Sequence, residues 1–255
     1  MPESIALVSG KGGTGKSVTA LNLGLAFQKL GEKTVLIDGD RTSPDLSILL
    51  GLKPDQDFTL QEVLENEENP LKSITMHDSG LMVLPSAFVA GESKINEKNF
   101  SRILNLLDNQ VIIDCPPGVY EDILSIVKLV DKIIFVTNPE IPAVVDSLRL
   151  FEEIEKMGAE EKVEGIILNK VENDKNEVTE GEVEFLFRIP VITNIKRDGS
   201  FKESIQKQEP LLDLDPYSEN TIKYKRLASH FSKRPFDPPK FRRARKFLHK
   251  LGLSD

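Results

Sequence analysis

The segment Gly10-Lys11-Gly12-Gly13-Thr14-Gly15-Lys16-Ser17 constrains this chain more than any other stretch. Its glycines let consecutive main-chain N–H groups converge on one anion, an approach that larger side chains obstruct. The spacing G-x-x-x-x-G-K-S is met by Gly10, Gly15, Lys16 and Ser17, after a short apolar run (5–8) and before a helix-period stretch (16–30). In that context the pattern reads as a phosphate loop. The helix N-terminus adds a favourable dipole, Lys16 is expected on the β- and γ-phosphates, and the Ser17 hydroxyl is expected on Mg²⁺.

The same alternation runs through the rest of the chain. Short apolar runs at 34–37, 81–84, 111–113, 132–136, 163–168 and 191–195 alternate with helical patterns at 100–107, 120–129, 143–157, 180–187 and 217–231. Several runs are apolar on both faces, as strands inside a parallel sheet are. The prediction is a doubly wound α/β domain, a mostly parallel sheet with helices on both faces and right-handed crossovers. Ligands of such sheets sit at the carboxyl ends of the strands, where the motifs fall. In Arg234-Pro235-Phe236-Asp237-Pro238-Pro239, three prolines in five positions stop the last domain helix. The expected organisation is a domain over 1–234 and a linker with a tail over 235–255.

Charge is informative once divided. Residues 239–255 hold six basic side chains and one acidic, and the other 238 residues hold 27 basic and 40 acidic. An acidic body disfavours sequence-independent nucleic-acid binding, which needs a basic face. The single cysteine, Cys115, excludes a disulfide framework within the chain and suits a reducing, cytoplasmic setting. Because it follows a strand-end aspartate with no histidine nearby in sequence, it reads as a packed residue rather than a nucleophile. No signal peptide is expected, since the glycine loop arrives after five or six apolar-rich residues, and no apolar run approaches the roughly 18 residues of a spanning helix.

Carboxylates follow two of the strands. Asp38 and Asp40 lie just past 34–37, where alternation points them the same way. Asp114 ends the apolar run 111–113, the position from which a carboxylate holds a Mg²⁺ hydration shell. Asn169 follows 163–168 and offers both a donor and an acceptor.

Lys11, a second lysine at the start of the loop, is not required by the phosphate cradle. With it the chain resembles the deviant-Walker-A ATPases, the family of MinD, ParA, the nitrogenase iron protein and the Mrp-type cluster carriers. The resemblance covers about residues 3–232. It implies that Gly10, Lys11, Gly12, Gly13, Thr14, Gly15, Lys16, Ser17 and Val18 bind the phosphates of ATP, with Lys11 contacting nucleotide across an ATP-sandwiched homodimer. By the same resemblance Asp38 acts near Mg²⁺ through water, Asp40 orients or activates the attacking water, and Asn169 recognises the adenine amino group. Asp198 falls where the family's second adenine-side loop lies, although Lys196 replaces that loop's proline. Val18 also departs from the family, which carries a second hydroxyl residue there. The activity implied is slow, partner-stimulated hydrolysis of ATP to ADP and phosphate. Iron–sulfur work is disfavoured, because Cys115 is in the wrong place for a bridging ligand.

Within the family the segment 135–149, with Pro139, Glu140, Asp146 and Arg149, looks most like the MinD type. The tail agrees. Phe241, Ala244, Phe247, Leu248 and Leu251 recur at three-to-four-residue spacing among basic residues, giving a basic amphipathic helix suited to an anionic membrane surface. One such tail binds marginally and two in a dimer much more tightly. The resemblance implies a cytoplasmic protein reversibly attached to the inner face of the cell membrane, positioning a division site or polar structure with an unidentified protein activator or cargo. A disordered basic tail, and one that meets nucleic acid or protein, remain open at this stage. So do a ParA-like DNA-positioning ATPase and an ATP-dependent metabolic ligase of the same fold.

Overall fold

Strands apolar on both faces need cover on both sides, and the fold supplies it. A computed structural model describes residues 3–40, 45–53, 58–66, 68–87 and 95–250. Strands β1 (Ser4–Val8), β2 (Thr34–Asp38), β3 (Thr75–Met76), β4 (Met82–Leu84), β5 (Gln110–Asp114), β6 (Lys132–Thr137), β7 (Val163–Val171) and β8 (Val191–Lys196) form one sheet of order β3-β4-β2-β5-β1-β6-β7-β8. Only the β3–β4 pairing is antiparallel.

Alternation along each strand divides the core. Ile5, Leu7, Leu36, Ile112 and Ile134 pack under α1 (Lys16–Lys29) and α10 (Glu219–Ser232). Ala6, Val8, Val35, Ile37 and Ile113 pack under α4 (Glu97–Leu106), α5 (Glu121–Leu129), α6 (Ile141–Lys156) and α7 (Glu180–Phe187). This is the doubly wound sheet expected from the sequence. The basic tail forms α11 (Arg242–Lys250), while Leu251 and the rest of 251–255 lie outside the described residues.

Boundaries moved where capping decides them. α4 begins at Glu97 because the Asn96 side chain accepts from the Asn99 N–H, and α10 begins at Glu219 because Ser218 accepts from the Thr221 N–H. β7 runs through Asn169 to Val171 rather than ending at 168. Helices α2 (Asp45–Leu49), α3 (Leu60–Glu65) and α9 (Leu211–Leu214) are too short to show a 3.6-residue period. α8 (Gly199–Lys207) is longer but carries only two large apolar residues, Phe201 and Ile205.

Phe135, Phe151 and Phe187 tie β6, α6 and α7 together, with ring centroids 5.7–6.0 Å apart. Phe187→Ala is expected to cost about 3–5 kcal/mol in urea unfolding. Nucleotide affinity of the folded protein should stay unchanged, since Phe187 does not line the phosphate loop.

Candidate functional site

Parallel strands deliver their carboxyl ends to one edge, so residues just past β1, β2, β5 and β7 meet. The loop between β1 and α1 turns through Gly13 and Gly15, whose φ values of 77° and 88° lie in the left-handed region. Space is as strict as conformation. A Cβ on Gly10 would lie 2.0 Å from the Asp146 carbonyl carbon of α6, and one on Gly15 would lie 2.3 Å from the Asn169 amide nitrogen.

β7 holds the outer side of the loop. Asn169 Nδ2 donates to the Thr14 carbonyl at 2.7 Å, and Lys170 Nζ donates to the Gly13 carbonyl at 2.5 Å. Each trans peptide sets its N–H opposite its carbonyl, so the N–H groups of Thr14 and Gly15 point away from β7. α1 opens with no side-chain cap and no acidic residue in its first turn. Its first N–H groups and the positive end of its dipole are left for an anion. The same loop walls a cavity of about 590 Å³, completed by Asp40, Pro117, Asn169, Lys170, Lys196, Arg197, Asp198 and Phe201.

The two lysines of the loop have separate situations. Lys16 is buried, 6% exposed, and pairs with Asp114 Oδ1 at 2.5 Å. Lys11 is exposed on the cavity wall. Burial opposes the Lys16 ammonium, but the charge of Asp114 and its hydrogen bond outweigh that, so Lys16 titrates above the usual lysine value. Asp114 and Asp38 are register partners on β5 and β2, both fully buried. Burial first, and then the neighbouring Asp114 charge, push the Asp38 carboxyl well above the ordinary range, against hydrogen bonding from the Leu46 N–H. Asp40, close behind, adds negative charge that both Asp38 and Lys16 feel.

Asp38 and Asp114 thus crowd around Lys16, and Asp114 Oδ2 is buried without a hydrogen-bond partner. Both observations fit a bound cation. Among the described residues no group of three or more His, Cys, Asp or Glu forms a ready metal cage. Mg²⁺ keeps most of its waters and binds through few carboxylates and phosphate oxygens. Ser17 and Asp114 would hold it, with Asp38 behind.

A family model described as the CobQ/CobB/MinD/ParA nucleotide-binding domain matches residues 5–223. The chain belongs to this family. It is 30% identical to an uncharacterized ATP-binding protein of Methanocaldococcus jannaschii over 254 residues, covering 97% of this chain and 95% of that protein. It is also 30% identical to the septum site-determining protein MinD of Bacillus subtilis, covering 89% of this chain and 88% of that one. The MinD structure from Pyrococcus horikoshii, complexed with Mg-ADP, superposes with a TM-score of 0.79 at 27% identity, covering 91% of this chain and 97% of that one. A second MinD, from Pyrococcus furiosus, gives 0.79 at 29% identity, covering 91% and 99%. The fold is thus that of the MinD-like P-loop ATPases.

Every residue assigned to the site from sequence lies along this loop or directly behind it. Asn169 carries a task the sequence did not suggest, since its amide holds the Thr14 carbonyl. Asp198 lines the cavity and caps α8 by accepting from the Ser200 N–H at 2.9 Å. Lys170, Arg197 and Phe201 were not foreseen. Lys170 sits at φ 59°, where burial and the adjacent Arg197 lower its pKa. Its one sequence signal was its place beside Asn169.

Asp38 and Asp114 both titrate above the ordinary carboxyl range, chiefly through burial, and Asp114 is in addition the partner of buried Lys16. A carboxyl with a raised folded pKa adds stability at acid pH that is lost as pH rises through that value. Asp38→Asn should therefore raise the melting temperature at neutral pH and flatten its fall above the acid range. Asp114→Asn removes the partner of buried Lys16 and should lower stability by about 3–5 kcal/mol. Differential scanning calorimetry across pH on both variants checks the signs.

Proposed function

We propose that this chain is an ATP-driven switch of the MinD type. Two copies join face to face around ATP and Mg²⁺, and hydrolysis to ADP and phosphate separates them. The observation that carries this reading is the division of labour between the lysines. Lys16 pairs inward with Asp114, whereas Lys11 lines the same cavity and is exposed, which supports a role for Lys11 on phosphate oxygens at a face that a second copy would cover. Exposed Ile48, Val119, Tyr120 and Ile141, near the loop, α2, the segment after β5 and the start of α6, supply apolar surface of the kind an interface buries.

Hydrolysis of a phosphoanhydride rests chiefly on positioning and charge stabilisation. The loop N–H groups and Lys16 orient and neutralise the β- and γ-phosphates, Mg²⁺ supplies charge when bound, and Asp40 accepts the proton of an attacking water. Asn169, with its Nδ2 spent on the loop, offers Oδ1 to the adenine amino group. Turnover is slow alone and faster with a protein partner. Among the described residues no helix is long and apolar enough to cross a membrane. Attachment to an anionic membrane surface therefore falls to 239–255, and dimerisation doubles the tails available. Such a switch serves spatial positioning, of a division site or a polar structure.

Asp40→Ala is expected to hold ATP within about threefold of wild type while lowering turnover at least ~10²-fold and trapping a dimer in size-exclusion chromatography with light scattering. Wild-type protein should sediment with anionic liposomes in ATP and not in ADP. Sedimentation indifferent to nucleotide, or to removal of 239–255, would contradict the switch.

A further inference from the structure

An amphipathic helix beside a folded body normally turns its apolar stripe inward. α11 does the reverse. At 100° per residue, Ala244, Phe247 and Leu248 share one arc of the helix, just after Phe241, and Arg242, Lys246 and His249 share a narrower arc nearly opposite. The basic arc is the one against the body. Lys246 Nζ pairs with Asp215 Oδ2 at 2.7 Å. His249 Nε2 lies 3.2 Å from the Leu214 carbonyl, which can only accept, so that nitrogen carries the proton. The His249 ring meets Tyr217 edge-on at 5.9 Å. The apolar arc faces out, with Phe241 84%, Phe247 64% and Leu248 41% exposed.

We infer that the corner between α9 and α10, formed by Leu214, Asp215 and Tyr217, is a docking site for the chain's own terminal helix, holding it by its basic face so that its apolar face is already turned toward a membrane. The inference rests on the membrane reading above and adds to it the orientation of the body on the lipid. Asp215 is a selective anchor because it is buried, its Oδ1 has no hydrogen-bond partner, and its Oδ2 meets the Lys246 ammonium. The dock is also tied to the nucleotide cavity. Leu212, two residues before Leu214, donates its N–H to Asn22 Oδ1 of α1, and the preceding α8 supplies Phe201 to the cavity wall. The outward occupant is an anionic bilayer rather than a protein groove, because exposed Arg245 borders the apolar arc and suits lipid phosphates.

A helix ordered and aimed before contact spends less conformational entropy on binding. Removing the Asp215 charge therefore weakens membrane binding, although simple electrostatics requires the opposite near an anionic surface. The test uses full-length protein with Mg²⁺ and ATP, and vesicles of equal phosphatidylglycerol and phosphatidylcholine. Asp215→Asn and Lys246→Gln, one on each side of the contact, should each lower vesicle affinity about three- to tenfold, and the double variant should lose little more than either single one. Spin labels at Arg226→Cys and Ala244→Cys, with Cys115 buried, report the dock without vesicles. A narrow distance distribution in wild type that broadens in both variants supports it. A broad wild-type distribution, or tighter vesicle binding by Asp215→Asn, overturns it. A narrow distribution with no vesicle binding at all keeps the dock and sinks the membrane reading instead.

Discussion

Lys16 and Asp114 pair at the end of this sheet beside the buried Asp38, and that contact organises the rest of the site. Lys16 compensates Asp114 directly, while burial and the Asp114 charge hold the Asp38 carboxyl well above its ordinary range. Inside a protein adjacent carboxylates repel one another, and a cation beside them relieves that repulsion. Mg²⁺ would bring such a charge to Asp114 and Asp38, and a nucleotide would present phosphate oxygens to the loop N–H groups. The same carboxylates that repel one another therefore favour a magnesium-bound nucleotide.

The fold exists in a form that can tolerate this. β2 and β5 are clad on both faces by helices, so Asp38 and Asp114 emerge from apolar strands at equal height. β7 contributes a brace, since Asn169 and Lys170 each take one loop carbonyl. α6 contributes a limit, since its main chain at Asp146 leaves room only for glycine at position 10. Phosphate-loop geometry is thus imposed from three sides, and the glycines permit what the neighbours require.

Much of this was legible in the sequence because it rests on local pattern. The loop spacing, the apolar strands and the aspartates at their ends each mark a position that chain direction alone brings to one edge. What was not legible depends on long-range packing. Lys170 adopts its role through a left-handed backbone at the end of β7, and nothing in the order of residues reports that. Arg197 and Phe201 reach the cavity from a polar segment whose helix is too weakly patterned to announce itself. The amphipathic tail was evident as a helix with two faces, but which face meets the body was decided by Asp215, 31 residues before Lys246 in the chain.

Family membership and the likeness to MinD structures agree with a nucleotide-binding ATPase, and everything proposed beyond that, from the dimer to the oriented tail, presupposes one grip on phosphate. Isothermal titration of purified protein with ATP and Mg²⁺ tests that grip most directly. Saturable binding that requires Mg²⁺ and is abolished in Lys16→Ala is the expected result. No heat of binding for any adenine nucleotide, or equal binding by the Lys16→Ala variant, would contradict it.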